Sequence, residues 1–288
     1  MDTVFAKFEV WFKDMLVPVI METLRTMFDA VNDQVSTIAS DVATTPSAFS
    51  PHVFSMIRNV SENVIMPIAG MILTFIACYE LIQLIMSYNN LANFESWFIF
   101  KWVFKTAIAV LLISHTFDFT MAVFDVTQHV ILNAGGIISG TTAVDASTLA
   151  GMEADIRAMS GWAVFTLYIQ ILIVQLFTLI LSKIIFVIIY CRIIEIYMYV
   201  SLAPIPFATF GNKEQSSIGQ NYVRSLFALG FQGFLILICV GIYAVLIHTL
   251  TFSSDIVGSL WGVMGYTILL AFSLFKTNTI AKAVFQGH

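Results

Sequence analysis

Two sets of side chains have types and spacings that could carry charge chemistry inside apolar surroundings. Arg192 and Glu195 stand three residues apart, so on a helix they share a face and can form an ion pair. Glu80 belongs with Lys101 and Lys105, which fall near matching ends of two successive apolar segments. Ionisable groups inside a membrane span are costly and are candidates for ion or proton pathways. Here most sit near segment ends, where long side chains reach water. That position favours structural ion pairs and contact with a partner over a transport site. Catalytic constellations are missing from the sequence: no His-Glu-x-x-His zinc helix, no Gly-x-Ser-x-Gly elbow and no Walker loop. His52, His115, His129, His248 and His288 are scattered without ligand spacing. Cys78, Cys191 and Cys239 all lie in apolar segments and read as small buried hydrophobes. No metal or other cofactor is implied, and the chain does not read as an enzyme.

The elements that must position these residues are unusually apolar. Hydrophobic residues make up 59% of the 288, charged residues only 11%, and mean hydropathy is +0.89. A soluble domain carries about 25% charged residues, so the chain reads as an all-α polytopic membrane protein. The net charge of −5, without any Lys/Arg run, excludes a conventional nucleic-acid-binding surface. Residues 1–30 are no signal peptide, because Asp2, Lys7, Glu9, Lys13 and Asp14 interrupt them.

Residues 1–60 form an amphipathic helical region and a linker. Phe5, Phe8, Phe12, Met15, Leu16, Val19, Ile20, Leu24, Met27, Val31, Val35 and Ile38 recur at three and four, opposite Lys7, Asp14, Glu22, Arg25, Asp29 and Asp33. Such a helix lies on a membrane surface, grips a partner or packs on its own protein; Pro18 predicts a kink. Thr44-Thr45-Pro46-Ser47 and Ser50-Pro51 mark the linker.

The transmembrane domain covers residues 61–276, with spans at about 64–86, 97–121, 162–190, 226–250 and 256–275, and residues 277–288 form a tail. The third span is overlong. From Trp162 to Phe210 almost 50 residues carry only Lys183, Arg192 and Glu195, whereas one crossing needs about 20 apolar residues. Either one helix continues to Pro204 and Pro206, or residues 196–210 re-enter the bilayer, and full crossing there would make six spans. Gly258, Gly262 and Gly265 make a small-residue stripe suited to helix packing. Gly136-xxx-Gly140, in a polar setting, reads as flexible. Tyr190, Tyr197 and Tyr199 suit a membrane–water interface.

Lys and Arg near span ends orient the chain. Lys276 and Lys282 place the C-terminus in the cytoplasm, and Lys213 and Arg224 place the loop after the prolines there too. Segment 125–160, with four acids against Arg157, and the cation-free Thr251–Asp255 are then external, as is the N-terminus.

Taken in order, the parts are an amphipathic helix, two spans, an external segment, the overlong helix with Arg192 and Glu195, Ala203-Pro204-Ile205-Pro206-Phe207-Ala208, and a polar loop leading into Tyr222–Gly233. Over roughly residues 60–275 this resembles the TrbL-like polytopic inner-membrane subunit of conjugative type IV secretion systems, in the versions carried by Gram-positive integrative conjugative elements. The resemblance implies a channel or scaffold subunit in the bacterial cytoplasmic membrane. It implies homo-oligomers in contact with secretion ATPases and other machine subunits, with transient contact to transferred DNA and its relaxase. It carries over no catalytic residue. The competing reading is a small secondary transporter or export permease, which should show inverted repeats and midplane charges; no convincing repeat is present. Reporters fused after Asp145 and after Lys213 are expected on opposite faces of the membrane, and finding both on one face overturns the five-span topology.

Overall fold

The computed structural model describes residues 2–87, 96–138, 146–212, 214–250 and 256–286, all helical or in short connections. Lys213, Gly140, Thr141-Thr142, Asp145 and Thr251–Asp255, used above for loops and orientation, lie outside the described residues. In order the helices are α1 (Asp2–Ala43), α2 (Pro46–Phe49), α3 (Pro51–Val60), α4 (Met66–Met86), α5 (Ser96–Ser114), α6 (Thr116–Ile138), α7 (Ala146–Ala158), α8 (Gly161–Leu202), α9 (Pro204–Ala208), α10 (Ser216–His248) and α11 (Ile256–Gln286). Five helical stretches are long and apolar enough to cross a membrane: Pro51–Met86, Trp97–Ser114, Gly161–Gly211, Ser216–Ile247 and Ile256–Gln286. The protein is a multi-pass, all-helical membrane protein.

Several boundaries differ from those expected, each for a local reason. The linker of residues 41–60 takes helical form, with Pro46 and Pro51 each at a first helical position, where a missing N–H costs nothing. Thr45 caps α2 by accepting from the Ala48 N–H at 3.3 Å. Between α3 and α4 the ladder widens into a π-helical turn, Ser61–Ile65, where the Met66 N–H reaches Ser61. Pro67, just beyond, has no N–H to continue the normal pattern. The second span ends at Ser114 rather than near 121, and α6 begins at Thr116. The Thr116 hydroxyl donates back to the Leu112 and Ile113 carbonyls at 2.8 Å, a pattern that bends helices. At the other end of the chain, the tail expected from 277 continues α11 as far as Gln286.

The chain divides into two compact units, the first of residues 1–43, 131–189 and 234–277, the second of 44–130, 190–233 and 278–288.

In the first unit α1 stays helical through Pro18 and lays Leu16, Val17, Ile20, Leu24 and Met27 into the core. Met15 and Val19, expected on the same stripe, are exposed at 49% and 44%. The apolar face is therefore narrower and rotated, and it packs on this protein's own α7 and α8. Phe12 meets Phe165, and Arg157 donates to Asp14 at 3.3 Å. Ser182 donates to Gln34 at 3.2 Å. Elsewhere in the unit Tyr243 and Thr267 share a buried hydroxyl–hydroxyl bond of 3.0 Å. In α11 a side chain at Gly262 would meet Leu250, whereas one at Gly265 would meet nothing within 4 Å.

Glu9 ties α1 to the start of α8. Its carboxylate accepts the Gly161 N–H at 2.7 Å, one of the donors a helix N-terminus leaves unpaired, and lies 3.4 Å from Lys13. The Gly161 bond, then Lys13, holds the Glu9 carboxyl below the usual carboxylate range. A depressed folded pKa means the stabilisation is complete above the unfolded value, 4.5, and is lost as pH falls through the folded one. The melting-temperature gap between wild type and Glu9→Ala in detergent should be largest near neutral pH and close as the sample is acidified below that range; a gap that does not change with pH contradicts the assignment.

Candidate functional site

The second unit gathers most of the residues singled out above, and its organising event is the end of α8. Pro204 lacks an N–H and its ring would clash with the Val200 carbonyl, so α8 stops at Leu202. Both prolines then fall in the first turn of α9, where an N–H would have no helical partner anyway. A single 3₁₀ turn, Thr209–Gly211, follows. The re-entrant alternative thus resolves into a long helix and a short broken segment, within one apolar stretch, Gly161–Gly211.

Thr209 locks this segment to α10. Its hydroxyl donates to the Pro206 carbonyl at 2.7 Å and accepts the Gly219 N–H at 3.1 Å. Gly219 is required there, since a Cβ would stand 2.8 Å from the Pro206 carbonyl oxygen and 2.9 Å from the Phe210 ring. Ala203, Phe207 and Ala208 bury against Ala69 and Leu73 of α4 and Ala109 and Ile113 of α5. Tyr222 completes this core: its hydroxyl donates to the Tyr199 carbonyl at 2.9 Å and its ring stacks on Tyr199 at 6.1 Å. Tyr197 donates to the Pro46 carbonyl at 2.6 Å. Tyr190 packs edge-on against Phe49 at 5.0 Å, so all three tyrosines of the expected interfacial belt have contacts within the chain.

The charged residues find partners other than those that spacing suggested. Arg192 and Glu195 share a helix, yet no ion pair joins them among the described residues. Arg192 is only 4% exposed and turns to α10, where Nε and Nη2 donate to the Leu229 and Gly230 carbonyls at 3.4 and 3.3 Å. Its Nη1 has no partner among the described residues. Gly230 also admits α6, because a Cβ there would stand 2.7 Å from Thr127. Glu195 accepts from Lys282 and from Asn278 of α11, both at 3.2 Å. Gln286, one turn further, donates to Ser225 of α10 at 2.8 Å. Asn278, Lys282 and Gln286 recur every fourth residue and so share a face. That spacing is visible in the sequence, but it lay in a region read as tail.

Glu80 and Lys105 form the ion pair that joins α4 to α5. Trp102 reinforces it, donating to the Ala77 carbonyl at 3.2 Å. Lys101 is exposed and has no carboxylate partner among the described residues. The arrangement fixes helix ends and buries a permanent cation. It offers no nucleophile beside a base, and no cluster of potential metal ligands occurs among the described residues.

The family described as TrbL/VirB6 plasmid conjugal transfer like protein matches residues 31–204, more than half of the chain, and the chain belongs to that family. Membership makes it a non-enzymatic membrane component of a conjugal-transfer, type IV secretion machine. The match begins within α1 and ends at Pro204, so it starts earlier and stops earlier than the resemblance noted from the sequence. No curated protein and no solved structure matches the chain.

Gly219→Ala should cost about 2 kcal/mol by overpacking against the Pro206 carbonyl. Gly265→Ala, with open space around it, should be neutral or slightly stabilising. Unfolding of the two variants in mixed micelles measures the difference, and equal effects would show that the α9–α10 contact is looser than described.

Proposed function

We propose that this chain is a channel or scaffold subunit of the conjugal machine, assembled in several copies around the transfer path. The observation that carries the reading is how little the first two spans bury within the chain. Only 17% of the Pro51–Met86 window and 11% of the Trp97–Ser114 window are buried, against 56% for Ser216–Ile247. Such surfaces suit lipid and neighbouring subunits. Geometry points the same way. Helices are about 10 Å across, and a ring of five leaves a hole of roughly 7 Å. One copy cannot enclose a path for DNA with a protein attached.

Charge placement supports an outside N-terminus and a cytoplasmic C-terminus in the bacterial cell membrane. On that orientation the α9 segment and the ends of α4 and α5 face the cytoplasm, where secretion ATPases would dock. The order of parts over roughly residues 60–275 supports the Gram-positive integrative-element version of the family.

Glu80, Lys105, Arg192, Glu195 and Pro204 serve this role from inside. Pro204 and Arg192 are buried and the carboxylates are engaged by the chain's own lysines. They hold the cytoplasmic end in one shape. Partner contact falls to exposed neighbours such as Ile218 and Val284.

The full chain, extracted in mild detergent and cross-linked in the native membrane beforehand, is expected to run as multimers and to carry machine subunits with it. A strictly monomeric chain that exchanges a small solute in liposomes would overturn the channel-subunit reading in favour of a transporter.

A further inference from the structure

Within the second unit a cleft of about 590 Å³ is lined by Glu80, Lys101, Trp102, Lys105, Phe210 and Gln220, among others. That volume suits a small-molecule group. Glu80 lies near the end of Pro51–Met86, Lys101 and Trp102 near the start of Trp97–Ser114, Phe210 at the end of Gly161–Gly211 and Gln220 near the start of Ser216–Ile247, while Lys105 stands midway along its stretch. The cleft therefore runs inward from the ends of these stretches.

Elsewhere on α5, Trp97, Phe100 and Phe104 are exposed at 63%, 58% and 59% and stack in a row, with centroids 5.7 and 6.4 Å apart. A Trp at the start of a span suits the membrane–water interface, and the exposed Phe rings below it suit acyl chains. Lys101 is one turn, about 6 Å, below Trp97, and Lys105 about 12 Å. Lys105 is neutralised by Glu80, whereas Lys101 has no carboxylate partner among the described residues. Among the described lining residues the cleft thus carries two cations against one carboxylate. The N-terminal end of α10, a helix of 33 residues, adds its partial positive charge on the same side.

We infer that this cleft binds the phosphodiester headgroup of an anionic phospholipid. Lys101 pairs with the phosphate and the Gln220 amide donates to it. Trp102 and Phe210 flank the glycerol, and the acyl chains run down the exposed faces of Phe100 and Phe104. A zwitterionic choline lipid fits less well, since its cation meets Lys101 while the acid beside it, Glu80, is already engaged. The inference needs only the multi-pass topology and stands apart from the proposed role in transfer.

The test is native mass spectrometry of the full chain in detergent containing equal amounts of phosphatidylglycerol and phosphatidylcholine. The wild type should retain phosphatidylglycerol preferentially, by about fivefold per uncompensated lysine. Lys101→Gln should abolish the preference, Lys101→Arg should keep it and Lys101→Glu should reverse it, with helicity by circular dichroism unchanged in each. A photoactivatable phosphatidylglycerol should cross-link to peptides 97–105 or 216–224. Equal retention of both lipids, a preference unaffected by Lys101→Gln, or cross-links confined elsewhere would overturn the inference. Displacement of the lipid by excess inorganic phosphate would also overturn it, assigning the cleft to a free phosphate instead.

Discussion

A helix that ends inside or at the edge of a bilayer leaves carbonyls without donors, and nothing in hydrocarbon can supply them. The 42-residue α8 faces this constraint at Leu202, where Pro204 forbids its continuation. The second unit is arranged around the solution. The chain turns at once into α9 and a 3₁₀ turn, which keep short-range backbone bonds, and Thr209 bridges the turn to Gly219. That bridge needs the backbone of α10 within touching distance, hence the glycine. With α10 held there, its Leu229 and Gly230 carbonyls come within reach of the buried Arg192. The prolines, the glycines and the guanidinium are thus parts of one accommodation.

The two buried or half-buried charges of α8 illustrate how differently such groups are handled. Arg192 meets carbonyl dipoles rather than a carboxylate. Glu195, three residues on, is matched by a lysine and an amide from α11. Pairing the two with each other would have been the short-range answer. Separating them instead uses each to bind a different helix, so one turn of α8 holds both α10 and α11.

The length and apolarity of the spans were legible in the sequence, because a crossing demands both and little else produces them. The Glu80–Lys105 pair was also legible: two opposite charges near matching ends of consecutive spans have few other partners. The Arg192 and Glu195 contacts were not. Spacing says which residues share a face, but not which helix faces them. The narrowing of the α1 stripe has the same origin, since Met15 and Val19 satisfy the periodicity and lie outward all the same. The start of α6 was read as the end of the second span, and the rest of α6 with α7 fell largely in the polar segment 125–160. There Ile131 and Ile156 are buried, a sparse signal among polar neighbours.

The tie between Glu195 and Lys282 spans 87 positions of the chain. At roughly 5–20 residues per second, the ribosome delivers the lysine about 4–17 seconds after the carboxylate. Through that interval Glu195 has entered the membrane region with its own helix while Asn278, Lys282 and Gln286 are still unmade. A chain interrupted before those residues leaves the Glu195 carboxylate without its lysine and amide partners, so this closure of the second unit waits on the end of α11.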